Sequence, residues 1–247
     1  MYGISKGGKM SSLKRFFTDK IDGVFTSISG SEVNHAVNVL RLRTGDKVIL
    51  CDNSGYEYTA EITSVNKKEI LFKIENKELS DKESKNSITL ICGFLKGDKT
   101  ELIVQKAVEL GVKKIIVFNS TYSSAYLSDG KLERLNKVSV EAAKQCGRAI
   151  APKVEGMELF DALMSVEGIK NKIFACEFSK DNEIDMRRLK GDTAVVVGSE
   201  GGFSPDELKM AKKLGFKEIT LGKRILRAET AAIAMLSILS FELGDLS

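Results

Sequence analysis

Along the first 80 residues, apolar positions mostly alternate with polar ones. Val48–Asp52, Tyr56–Val65 and Glu69–Ile74 read as strands. Asn53-Ser54-Gly55 turns between the first two, and Asn66-Lys67-Lys68 leads into the third. One short helix interrupts them, capped by Ser31, with Val33, Ala36, Val37 and Leu40 at helical spacing. Strands with a single helix predict a small β-barrel over residues 11–80. Residues 1–10, ending on a second methionine, are read as a tag or disordered extension.

The pattern changes after a polar stretch at 81–86, read as a linker. Over 87–247 strands and helices alternate. Ile88–Leu95, Lys114–Phe118, Lys172–Cys176, Thr193–Gly198 and Glu218–Leu221 are apolar enough for buried strands. Between them lie helices at Asp98–Leu110 and Lys131–Arg148, a third opened by Ser204-Pro205-Asp206-Glu207, and a terminal one at Glu229–Leu243. This order predicts an α/β domain, a parallel sheet with helices on both faces.

Composition narrows the chemistry. The 247 residues carry 38 basic and 34 acidic side chains, so the net charge of +4 permits an RNA partner without requiring one. A single histidine, His35, excludes a zinc site of two or three histidines within one chain. The four cysteines form no CxxC, which fits buried free thiols and no metal. No apolar run reaches the ~20 residues of a membrane span, and the N-terminus has no apolar core of a signal peptide. A soluble cytoplasmic protein is expected, with no membrane partner.

Five segments carry candidate chemistry. Gly93–Thr100 imitates a phosphate-binding loop, but Asp98 stands where the second glycine belongs and would repel phosphate. Gly198-Ser199-Glu200-Gly201-Gly202 lies between a strand and a capped helix, where ligands bind in open α/β sheets. It is not GxGxxG, and Glu200 suits a cation better than a pyrophosphate. Thr220–Ala232 brings Arg227 and Glu229 to a strand–helix junction; Glu229 also suits a helix start electrostatically. Arg134, Lys137, Glu141, Lys144 and Arg148 step by three and four along one helix face, bordered by Gln145. Arg41 and Arg43 alternate with leucines, so both are expected on one strand face, where arginine reads phosphate and RNA.

Taken in chain order, with Arg15-Phe-Phe near the start, Lys96-Gly-Asp-Lys99, and Glu141-Ala-Ala-Lys-Gln145-Cys-Gly-Arg148, the motifs resemble the bacterial 16S rRNA uridine-N3 methyltransferases, the ribosomal small subunit methyltransferase E family. The resemblance runs from about Arg15 to the C-terminus. Two positions depart from it: Ser199 replaces a usual proline, and Cys146 a frequent serine.

The resemblance implies a PUA-like RNA-binding barrel followed by a SPOUT-type trefoil-knotted domain. It also implies S-adenosylmethionine as cofactor, a homodimer, and 16S rRNA or the small ribosomal subunit as partner. It assigns cofactor binding to Gly198–Gly202, Leu221, Gly222, Ile225, Leu226, Thr230 and Ala231. RNA contact falls to Arg15, Arg41, Arg43, Lys96, Lys99, Arg134, Gln145 and Arg148. Arg227 is the candidate stabiliser of a uracil anion, and Glu229 or a water the proton acceptor. Two alternatives stay open: a SPOUT methyltransferase for another rRNA or tRNA nucleotide, and a non-catalytic ribosome-assembly factor that binds RNA.

Overall fold

The computed structural model describes residues 13–123, 125–176 and 184–246. The extension expected at residues 1–10 lies outside them. The chain divides into two compact units, Met1–Asp81 and Lys82–Ser247.

The first unit is a five-stranded curled sheet: β1 (Lys14–Phe17), β2 (Phe25–Ser29), β3 (Lys47–Cys51), β4 (Tyr56–Val65) and β5 (Glu69–Leu79), ordered β1-β3-β4-β5-β2. β1 runs parallel to β3 and the other pairs are antiparallel. Alternation along β4 sends Tyr58, Ala60 and Ile62 inward onto Phe16, Val48, Leu50, Ile70 and Phe72. Two register shifts against β5 bend β4 and help curl the sheet. β1 and β2 were not expected. β1 is too short to display a period, and β2 buries only Ile28.

The expected helix is α1 (Ser31–Asn34) continued as a π turn over His35–Val39, and it buries Val33 and Ala36; Gly30, not Ser31, takes its cap position, with no side-chain cap bond. The chain does not then enter a strand. Arg41 takes a left-handed φ of 57°, and the Arg43 amide donates to Asp46 Oδ2 at 2.7 Å in a turn. Arg41 and Arg43 are therefore exposed on a loop, correcting their placement on a strand face.

The second unit holds β6 (Ile88–Gly93), β7 (Lys114–Phe118), β8 (Val154–Met157), β9 (Asn171–Ala175), β10 (Thr193–Val197) and β11 (Lys217–Ile219). All are parallel, in the order β11-β9-β10-β6-β7-β8. β6 and β10 lie at the centre and are buried throughout, which is why they read as continuous apolar runs. Helices α4 (Leu159–Met164) and α5 (Pro205–Lys213) cover one face through Leu159, Ala162, Leu163 and Ala211. Helices α2 (Lys99–Glu109), α3 (Asp129–Cys146) and α6 (Ala228–Glu242) pack together through α2. β8, of four residues, and α4, of six, are too short to display a period.

The polar residues at 83–86 belong to this packing. Glu83 meets Arg148 at 2.8 Å and accepts the Ala149 and Ile150 amides. Asn86 donates to the Leu243 carbonyl, and Ser84 bonds Asp245. Among the described residues no helix is long and apolar enough to cross a membrane.

Candidate active site

Parallel strands end together, so the loops leaving their carboxyl ends share one rim. After β10 the chain runs through Gly198-Ser199-Glu200-Gly201-Gly202-Phe203 into α5. Ser204 caps α5 by accepting the Glu207 amide at 3.2 Å, and Glu207 Oε2 accepts the Ser204 amide at 2.6 Å. Two positions, one beneath this loop and one at its start, leave too little room for a side chain. A Cβ on Gly93, at the end of β6, would lie 2.6 Å from the Ser199 nitrogen. A Cβ on Gly198 would lie 2.9 Å from the Phe203 ring, which itself packs on Phe174 at 4.1 Å between centroids. The loop therefore lies directly on the sheet's end.

After β11 a second loop, 220–227, crosses to α6. Gly222 takes a φ of 111° there, and Thr220 Oγ1 donates to the Gly222 carbonyl. Arg227 occupies the cap position of α6, and Glu229 lies in its first turn.

The two loops enclose a cleft of about 380 Å³, within the ~300–1,000 Å³ usual for small-molecule sites. Of the expected cofactor residues, Gly198, Ser199, Glu200, Gly202, Leu221, Ile225, Leu226 and Ala231 line it, as do Arg227 and Glu229. Gly201, Gly222 and Thr230 are not in the lining. Gly201 instead backs onto Tyr122, where a Cβ would lie 2.6 Å from the carbonyl.

The lining has several members without a sequence signal of their own. Ala175 and Cys176 at the end of β9 are brought there by topology alone. Val197, Phe203, Thr220, Arg224 and Ala228 adjoin the motifs and are legible only as their neighbours.

Electrostatics divide the cleft. Glu200 Oε1 meets Lys99 Nζ at 3.0 Å and accepts the Lys96 amide at 3.2 Å. Burial pushes the Glu200 carboxyl up, but the Lys99 ammonium and backbone amides outweigh it and leave it below the ordinary value. Glu229 Oε2 is buried and has no hydrogen-bond partner among the described residues. Such an acceptor calls for a donor from a ligand or water. Apolar walls, two backbone-rich loops and two carboxylates fit a ligand that joins a flat apolar ring to cationic and amino groups. S-adenosylmethionine has that chemistry.

The expected RNA contacts separate into two groups. Arg41, Arg43, Lys96, Arg134 and Gln145 are exposed. Arg134 pairs with Glu101 at 2.7 Å, and Lys99 stands in the cleft wall. Arg15 turns inward to Glu57 and Cys51 Sγ, each at 2.9 Å. Arg148 is buried, with its guanidinium on Glu83 and the Val108 and Val112 carbonyls. The helical stripe fails there because α3 ends at Cys146 and Gly147 reverses the chain at a φ of 85°. Neither Arg15 nor Arg148 is available to RNA in this structure.

The chain matches the family model of an RNA methyltransferase domain over residues 82–240, and that of an RNA methyltransferase PUA domain over residues 28–75. With the parallel sheet and the cleft at its rim, these matches define a two-domain RNA methyltransferase. The chain is 34% identical to ribosomal RNA small subunit methyltransferase E of Mesomycoplasma hyopneumoniae, over 90% of this chain and 97% of that one. It is 35% identical to the Bacillus subtilis protein of the same name, over 87% and 90%. The crystal structure of the Neisseria gonorrhoeae ribosomal RNA small subunit methyltransferase E bound to S-adenosyl methionine superposes with a TM-score of 0.84 at 30% identity, covering 95% of this chain and all of that one. The chain belongs to the ribosomal RNA small subunit methyltransferase E family.

Proposed function

We propose that the protein methylates N3 of one uridine in small-subunit ribosomal RNA, using S-adenosylmethionine. The observation that carries this reading is the cleft between the 198–203 and 220–227 loops, with Arg227 and Glu229 in its lining and Glu229 Oε2 unpartnered among the described residues. When bound there, S-adenosylmethionine supplies a methyl group already activated by its positive sulfur.

The protein's part is placement, charge stabilisation and proton removal. Backbone of the two loops holds the nucleoside and amino-acid halves, and Glu200 offers negative charge to a cationic ligand. Arg227 donates to a uracil carbonyl oxygen and stabilises the anion formed at N3. The N3 proton passes to Glu229 Oε2 or to a water. N3 is itself the nucleophile, so no covalent enzyme intermediate is needed. A base-paired uridine hides N3, so the target must be unpaired or extruded.

Arg41, Arg43, Lys96, Lys99, Arg134 and Gln145 are the groups assigned to RNA. The protein is assigned to the cytoplasm, where ribosomes assemble. A homodimer is supported by α6, which is mostly apolar and leaves Ile238 and Phe241 exposed, and by Ile225, 80% exposed at the cleft. Trefoil threading of the C-terminal segment is part of the same reading, and family membership supports it.

The test is transfer of labelled methyl from S-adenosylmethionine to free rRNA and to isolated small subunits, over a salt series. Label in 3-methyluridine, with affinity falling steeply as salt rises, supports the reading. Label in another nucleotide moves the assignment within the methyltransferases. RNA binding without transfer makes the protein a binding factor.

A further inference from the structure

Glu207 is buried, 8% exposed, yet the proposed chemistry does not use it. A capping box accounts for half of this carboxylate: Oε2 takes the Ser204 amide and so serves α5. Oε1 faces away from that task. It accepts the Thr121 amide at 3.0 Å and the Thr121 hydroxyl at 3.1 Å, from the turn that follows β7.

β7 is not the neighbour of β10; β6 lies between them. The loop after β10 reaches the turn after β7 only by crossing the end of β6. That crossing is where Gly93 has no side chain. Three further contacts join the same two segments. Ser120 Oγ lies 3.2 Å from Ser199 Oγ and donates to the Gly202 carbonyl at 3.3 Å. Gly201 backs onto Tyr122 too closely for any Cβ. Ser120 and Ser199 are both buried, so these hydroxyls are not competing with solvent. Ser199 stands where the resemblance expects proline, and its hydroxyl is what Ser120 meets. A ring that stiffens the loop from within is replaced here by a contact from outside.

We propose that Glu207 and Ser120 are positioning residues that set the conformation of the 198–203 loop for S-adenosylmethionine, through the turn at 120–122. The inference rests on the reading of the cleft given above. Helix capping alone needs Ser204 and one carboxylate oxygen; the second oxygen and Ser120 serve the loop.

Glu207→Gln tests this directly. The amide keeps the shape but only one acceptor oxygen, so its NH2 faces a donor on one arm or the other. Ser120→Ala removes the second tie. Ser204→Ala removes the cap hydroxyl and leaves the Thr121 arm. S-adenosylmethionine affinity is measured by calorimetry at 25 °C, beside the melting temperature of each variant. The expected result is about a tenfold rise in Kd for Glu207→Gln and for Ser120→Ala, equivalent to about 1.4 kcal/mol. Ser204→Ala is expected to melt earlier but bind within twofold of wild type.

Wild-type affinity in both Glu207→Gln and Ser120→Ala overturns the inference. Equal weakening in Glu207→Gln and Ser204→Ala assigns the effect to the helix cap and also overturns it. If Glu207→Gln does not fold, Ser120→Ala decides by the same figures. A wild-type protein that does not bind S-adenosylmethionine refutes the reading of the cleft, and this inference with it.

Discussion

Gly93 ends β6 directly beneath the 198–203 loop, and Gly93→Ala measures how closely that loop is set. The added Cβ would lie 2.6 Å from the Ser199 nitrogen and 3.0 Å from the Gly198 carbonyl carbon and Ser199 Cα. All three are backbone atoms, so no side chain can rotate away. Opening the closest approach from 2.6 Å to the 3.4 Å of ordinary contact separates loop and strand by about 0.8 Å. Overpacking of this kind costs ~1–3 kcal/mol, and alanine regains ~0.5–1 kcal/mol of glycine's conformational entropy in a strand. The net cost is then at most about 2.5 kcal/mol, and the melting temperature should fall by no more than about 10 °C in a chain of this size. The cleft should suffer more, because misplacement of groups by ~1 Å costs up to ~100-fold in well-aligned sites. Calorimetry should give a Kd for S-adenosylmethionine raised about 10- to 100-fold in a protein that is still folded. An alanine variant that binds within twofold of wild type would refute the claim that the loop's seat on β6 shapes the cofactor site.

Arg227→Ala should lower kcat by about 10²–10³ in methyl-transfer assays and leave the S-adenosylmethionine Kd within threefold, since the arginine acts on charge in the transition state. Arg148→Ala leaves the half-buried Glu83 without its charged partner and should cost about 3 kcal/mol of stability in denaturant titrations. Its rRNA affinity and salt slope, measured while folded, should match wild type, whereas Arg41→Ala and Arg43→Ala should each reduce that slope by about one. Burial pushes the Cys51 thiol up to about 11 and Cys92 up to about 12. Both stay protonated below those values, so iodoacetamide at pH 8 should leave both unlabelled in the native protein and label them once it is unfolded, as read by peptide mass mapping.

What could be read in advance follows from how each residue earns its place. β6 and β10 are buried on both faces, so their sequences are unbroken apolar runs that only a central strand explains. α5 begins with Ser204, Pro205 and Glu207, local chemistry that forms as written. The glycine loop was legible because it needs backbone where side chains cannot fit. Arg148 falls off the stripe because helical spacing extends one residue beyond Gly147, where the helix has already ended. Arg15 was misplaced because its partners, Glu57 and Cys51, come from strands that pair with it only in the fold. Thr121 and Glu207 are 86 residues apart, and no local pattern joins them. Cys176 reaches the cleft through strand order, which a sequence does not display.

The central claim is methylation of uridine N3 in small-subunit rRNA. Mass spectrometry of nucleosides from that rRNA, in a strain deleted for this gene, tests it most directly. The account predicts that 3-methyluridine disappears, returns with the wild-type gene and does not return with Arg227→Ala. Undiminished 3-methyluridine in the deletion strain would contradict it.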